Sequence, residues 1–187
     1  RMVTQVPLPL CLDSNSWSTF EPALKLIGGR SLINSFNLEN GEEELQKHLA
    51  VCKAFGAAAI LGTIDEDKDA GMAKTAERKV AIARRLLRIA VESCGLRAWD
   101  IFFDPLVLPV STGQAEDRRN AIETIEGIRR IKQEIPGAFT VVGLSNVSFG
   151  LNPAARHILN GVFLHYCREA GLDAASLHAS KIMPLHK

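Results

Sequence analysis

Six short, mainly apolar runs separated by longer amphipathic stretches constrain this chain more than anything else in it. The runs cover residues 9–12, 31–34, 57–62, 100–103, 139–144 and 173–177. A strand with one solvated face alternates apolar and polar residues, whereas continuous runs fit strands buried on both faces, as in a parallel sheet covered by helices or a closed barrel. The intervening stretches carry helical spacing. Leu45, Leu49, Cys52 and Phe55 recur at that period in residues 42–55, and Ile122, Ile125, Ile128, Ile131 and Ile135 do so in residues 120–135. Residues 75–94 and 154–170 behave likewise, and Gly28-Gly29, Gly56, Gly95, Pro136-Gly137 and Gly171 supply stops.

Strand-then-helix units repeated six times give an α/β fold with right-handed crossovers. A doubly wound sheet is one architecture, but its nucleotide-binding members place a glycine-rich turn after the first strand, and neither G-x-G-x-x-G nor a Walker A pattern occurs here. A (β/α)₈ TIM barrel takes about 250 residues, so a 187-residue chain would be an incomplete one, with about six of eight units. The first run lies close to the start and the last close to the end, which favours a piece of a barrel, read as a single domain over residues 1–187.

Composition narrows the partners. With 47% apolar and 23% charged residues the chain can bury one sizeable core, and 22 Lys plus Arg against 21 Asp plus Glu leave no field that would draw nucleic acid or an anionic membrane. Cys11, Cys52, Cys94 and Cys167 are far apart, with no C-x-x-C pair and no Cys/His spacing suited to zinc. They are expected to be reduced core thiols, with no metal site. No run approaches about 18 consecutive apolar residues and no leader pattern is seen, so a cytoplasmic protein without a membrane or nucleic-acid partner is expected.

In either architecture the functional face lies at the C-terminal ends of the strands. The residues there are Asp13, Asn34, Asp65, Asp104, Asn146 and His178, all polar. Each alone is an ordinary cap or turn former. Together they suit a ligand rich in amide and amidine-like groups, because a carboxylate accepts two parallel N–H bonds and a carboxamide both donates and accepts. No nucleophile and base stand out. Ser14 and Ser148 lack a G-x-S-x-G elbow, and His48, His157 and His165 fall in helices, where packing or surface roles are expected. The acidic run "DEDKDAG" has Ala70 and Ala76 where an EF-hand loop needs Gly and Glu, so it reads as a solvated loop with only Asp65 facing the pocket. The basic stretch "ERKVAIARRLLR" reads as a solvated helix face.

The exit residues sit in the strings "LCLDS", "LINS", "FDPLVLPV", "GLSNVSFGLNPAAR" and "AGLDAA". In this order the set resembles the pterin-binding family of corrinoid methyltransferases, which includes the methyltetrahydrofolate-binding domain of cobalamin-dependent methionine synthase and freestanding methyltetrahydrofolate:corrinoid methyltransferases. The resemblance implies a (β/α)₈ barrel of which this chain supplies the third to eighth strands. It implies that Asp104, Asp13 and Asn34 hold the amide and amino edge of the pterin. It places Asn146 near nitrogen 5, which carries the methyl group, with Gly143 and Ser145 shaping the turn and Arg156 in the loop after the seventh strand. Asp65 and His178 join this set through their strand-exit positions. The implied substrate is 5-methyltetrahydrofolate, and the methyl acceptor is a cobalamin or other corrinoid carried by a separate domain or protein. The string "LHASKIMPLHK" at residues 177–187 looks more like the multidomain synthases than the freestanding enzymes. Two other readings are dihydropteroate synthase, for which "HASKIMPLHK" lacks the closing Arg/His pair, and an inactive barrel fragment with open strand edges.

Overall fold

A computed structural model describes residues 5–14 and 16–183. Six strands, β1 (Cys11–Asp13), β2 (Leu32–Phe36), β3 (Ala58–Gly62), β4 (Ile101–Asp104), β5 (Phe139–Gly143) and β6 (Ala174–Ser176), form one sheet in sequential order. Every pairing is parallel. Sequential order decides between the two architectures, because a doubly wound sheet reverses direction at a switch point and this one never does. The sheet is a curled half-barrel. The helices are α1 (Phe20–Leu24), α2 (Glu42–Phe55), α3 (Ala76–Arg88), α4 (Asn120–Glu134) and α5 (Pro153–Glu169). All six expected strands are present within a few residues of the runs that announced them.

Strand parity sorts the side chains into two layers. Ile33, Ala59, Leu61, Ile101 and Phe103 pack outward with Leu45, Leu49, Val80, Ala83 and Leu86 of α2 and α3. A second cluster joins Val142, Leu144 and Val147 to Ile128 of α4 and Phe163 and Cys167 of α5. Removing the side chain of a fully buried Leu49 or Ile128 from such a core costs about 2–5 kcal/mol. The opposite parity faces the barrel interior, where Phe102 stacks on Phe139 with ring centroids 4.9 Å apart.

Several local expectations are corrected. Phe55 and Ile122 do not join the core: they are 37% and 56% exposed, and the buried stripe of α4 runs through Thr124, Gly127, Ile128 and Ile131. Period alone had placed Ile122 one step off the inward face. The helix expected over residues 75–94 leaves α-geometry at Arg88 and ends in a π-turn over Ile89–Ser93. All four cysteines are free, yet only Cys52 and Cys167 are buried; Cys11 on the edge strand is exposed and Cys94 is intermediate. No helix among the described residues is long and apolar enough to cross a membrane.

Candidate functional site

Leu12 and Ile33 pack toward the helices, so their neighbours Asp13 and Asn34 point to the barrel interior, and Phe103 places Asp104 there by the same alternation. The register sets Asp13 beside Asn34, Gly62 beside Asp104 and Gly143 beside Ser176. Four residues singled out by sequence, Asp13, Asn34, Asp104 and Gly143, therefore share the C-terminal rim of one inner surface. Asp13 is exposed and Asn34 partly buried, and both line a hollow of about 310 Å³ with Ser14 and Asn37. Their polar ends face open space.

Asp104 is the most constrained member of the rim. One carboxylate oxygen accepts the Leu106 amide at 2.8 Å. Burial pushes the carboxyl up to about 6, against the opposing pull of that amide and of the Lys79 charge. The following turn is held from behind. Lys79 donates to the carbonyls of Pro105 and Leu106, Thr124 donates to the Leu106 carbonyl at 2.8 Å, and Asn120 donates to the Pro109 carbonyl at 2.9 Å. Leu106 adopts a φ of 58°, a left-handed conformation that non-glycine residues seldom take unless the surroundings impose it. The loop then reaches the next exit through the Val110 amide, which donates to the Val147 carbonyl at 3.2 Å.

At that exit β5 passes directly into a 3₁₀ turn over Leu144–Ser148. Ser145 and Asn146 are exposed while Leu144, Val147 and Ser148 are buried, so the turn is anchored by its apolar side and presents its polar one. A Cβ at position 143 would lie 3.2 Å from Asn146 Nδ2, which shows that the carboxamide folds back over the glycine at the end of β5. Ser148 is a buried strut: its hydroxyl donates to Asn160 Oδ1 at 2.8 Å and accepts from Arg156 Nε at 3.2 Å. Arg156 also donates to the Ser145 carbonyl at 3.2 Å. It thus braces the turn from α5, whose start is capped by Asn152 accepting the Ala155 amide.

Asp65 and His178 lie further out. Both oxygens of Asp65 accept from Arg78 Nη2, at 2.9 and 2.8 Å, tying the acidic loop to α3. The rest of that loop closes on itself, with Asp67 accepting the amides of Asp69 and Ala70. His178 is exposed, contacts Ser180, and lines a cavity of about 350 Å³ with Ser145, Arg156 and Lys181. Residues 184–187 of the string at 177–187 lie outside the described residues. His48, for which a packing or surface role was expected, stacks on Trp17 at 3.9 Å between ring centroids.

The family model for pterin binding enzymes matches residues 1–178. The chain belongs to the pterin-binding enzyme family. Among its relatives, methionine synthase of Mycobacterium tuberculosis (strain ATCC 25618 / H37Rv) is 47% identical over 190 residues and that of Mycobacterium leprae (strain TN) is 44% identical. In both cases the whole chain is covered but only 16% of the relative, so this pterin-binding chain spans about a sixth of their length. Solved structures of similar fold include dihydropteroate synthase from Thermus thermophilus, at 21% identity and a TM-score of 0.60, covering 96% of this chain and 70% of that one. The Xanthomonas albilineans dihydropteroate synthase gives 15% identity and a TM-score of 0.63, covering 93% of this chain and 62% of that one. At such identities the likeness establishes the shared fold.

One buried charge behind the rim was not anticipated from the sequence, Lys79. Sequence reasoning assigned the basic stretch of α3 to solvent, but Lys79 is 1% exposed. The signal was present: Ala76, Lys79, Val80 and Ala83 fall at helical spacing and all are buried.

Proposed function

We propose that the chain binds 5-methyltetrahydrofolate on the inner rim of the barrel and positions its N5-methyl for transfer to a cob(I)alamin acceptor, as part of a cobalamin-dependent methionine synthase. The observation that carries this reading is the convergence of Asp13, Asn34 and Asp104 on one rim, with the Asn146 carboxamide lying across the neighbouring exit. Full coverage of the chain at 47% and 44% identity to two methionine synthases supports the multidomain parent. The cobalamin belongs to a separate domain, where it supplies the nucleophile, and a cytoplasmic location accords with this chemistry.

Division of labour follows from the chemistry of each group. A pterin presents an amide N–H and an adjacent amino group, to which a carboxylate can accept two parallel bonds; Asp104, held in a fixed turn, is suited to that task. Asp13 and Asn34, paired in register, supply further contacts to the same edge. Asp65 and His178 form the outer margin, and Arg156 keeps the Ser145-Asn146 turn in place. In the transfer, the bond between nitrogen 5 and the methyl carbon breaks as that carbon bonds to the incoming nucleophile; the electron pair stays on nitrogen, which takes up a proton from solvent. A tertiary amine leaves poorly unless that developing charge is met. The Asn146 amide can donate to nitrogen 5 more strongly as charge accumulates, which stabilises the transition state more than the bound substrate.

The test follows methyl transfer from 5-methyltetrahydrofolate to cob(I)alamin by absorbance in the full-length protein, with folate affinity measured separately. Asn146→Ala is expected to slow transfer by about 10²-fold, the scale of a lost transition-state donor, while affinity changes little. Equal losses of rate and affinity would remove Asn146 from the reacting centre.

A further inference from the structure

We infer that Lys79 is the positioning residue of the pterin clamp: from inside α3 its ammonium fixes the Pro105-Leu106 turn that aims the Asp104 carboxylate at the ligand. The inference rests on the reading of Asp104 as a pterin-binding group. A lysine is almost never fully buried unless its charge is met, and Lys79 is among the largest fully buried side chains of the chain. Its three hydrogen bonds go to backbone carbonyls, of Ala73 at 2.7 Å, Pro105 at 2.5 Å and Leu106 at 3.1 Å. Two of those carbonyls belong to the two residues after Asp104. An ammonium carries three protons, so its donor capacity is fully used by the loops at the exits of β3 and β4.

The consequence for Asp104 is both geometric and electrostatic. The Leu106 amide that binds Asp104 is presented by a residue at φ 58°, and the Lys79 and Thr124 bonds to the Leu106 carbonyl hold that conformation in place. The charged groups facing Lys79 are Asp104 at the end of β4 and Glu123 on α4. Glu123 is already engaged by the Ala76 amide at 2.8 Å and by Arg119. Burial lowers the Lys79 ammonium to about 8, with Asp104 and Glu123 opposing, so it is still mainly a cation near neutral pH. That cation pulls the Asp104 carboxyl down, toward the ionised form that accepts N–H bonds from a pterin. Two of its three donors go to this one turn and the third joins it to Ala73 in the loop after β3.

The site is also closely fitted. A Cβ added at Gly127 of α4 would lie 2.9 Å from Lys79 Cδ, so glycine there leaves room for the lysine stem.

The test measures affinity for 5-methyltetrahydrofolate from pH 5 to 8.5 in the full-length wild type, Lys79→Met, Lys79→Gln and Gly127→Ala. In the wild type, affinity is expected to fall as Asp104 protonates near pH 6. In either Lys79 variant, the fall-off should move up by about one pH unit as the nearby cation is lost, with affinity at its best pH at least about tenfold lower, the loss expected when a charged bond is misaligned. Gly127→Ala keeps the charge and improves helix propensity, yet should cost about fivefold or more in affinity with the pH limit unmoved. A folded Lys79 variant with the wild-type pH limit would overturn the inference. If neither Lys79 variant folds, Gly127→Ala decides, and unchanged affinity overturns it. Absence of folate binding by the wild type at any pH would overturn the pterin reading instead, which keeps the two failures apart.

Discussion

Replacing Asp104 by asparagine should stabilise the ligand-free protein while weakening its clamp. Burial lifts the Asp104 carboxyl from 3.8 to about 6 in the folded chain. With about 1.4 kcal/mol for each pH unit, the ionised carboxylate costs the empty fold about 3 kcal/mol. The sign follows from a folded value above the unfolded one. A carboxyl of this kind imposes no penalty well below pH 4, an increasing one as pH rises from about 4 to about 6, and a constant one above that. The attraction to Lys79 and the Leu106 amide bond are already included in that net penalty, so asparagine, which carries no charge, avoids about the whole of it. The gain at pH 7 is about 3 kcal/mol, or about 9 °C in Tm for a chain of this size. Thermal unfolding followed by circular dichroism at pH 7 and pH 4.5 checks it, the gain being expected to shrink by more than half at the lower pH. An Asp104→Asn protein that is less stable at pH 7, or whose gain does not vary with pH, would refute the reasoning.

Gly143→Ala places a methyl 3.2 Å from the Asn146 amide nitrogen, and is expected to slow methyl transfer by about tenfold through misplacement while leaving Tm almost unchanged; single-turnover kinetics beside a melting curve separate the two. Ser148→Ala strips a buried hydroxyl from Asn160 and Arg156, and should lower stability by about 1–3 kcal/mol in urea titrations. Gly71→Ala would put a Cβ 2.5 Å from the Asp67 carbonyl oxygen and 2.8 Å from that of Asp65. The loop must open to admit it, so limited proteolysis should cut between residues 65 and 71 faster than in the wild type.

The fold was legible because a parallel sheet covered by helices writes its strands as apolar runs, and each run became a strand. The rim was legible because side-chain alternation turns a strand-exit position into an inward-facing one, as for Asp13, Asn34 and Asp104. What supports the rim was not, because it depends on contacts between residues far apart in the chain. Lys79 reaches Pro105, 26 positions away, and Ser148 meets Asn160 across the gap between the turn and α5. Charge misled in the same way: in "ERKVAIARRLLR" one lysine is buried, while Arg84 pairs with Glu134 and Arg85 with Glu66 at the surface. Asp65 is a further case: its exit position was legible, but not the bonds from Arg78 of the next helix to both of its oxygens.

The most direct test is calorimetric titration of 5-methyltetrahydrofolate into the full-length protein and its Asp104→Asn variant at pH 7. The rim assignment requires binding by the wild type and an affinity at least about tenfold lower in the variant, the loss of one charge-assisted bond to the pterin edge. Equal dissociation constants would contradict it.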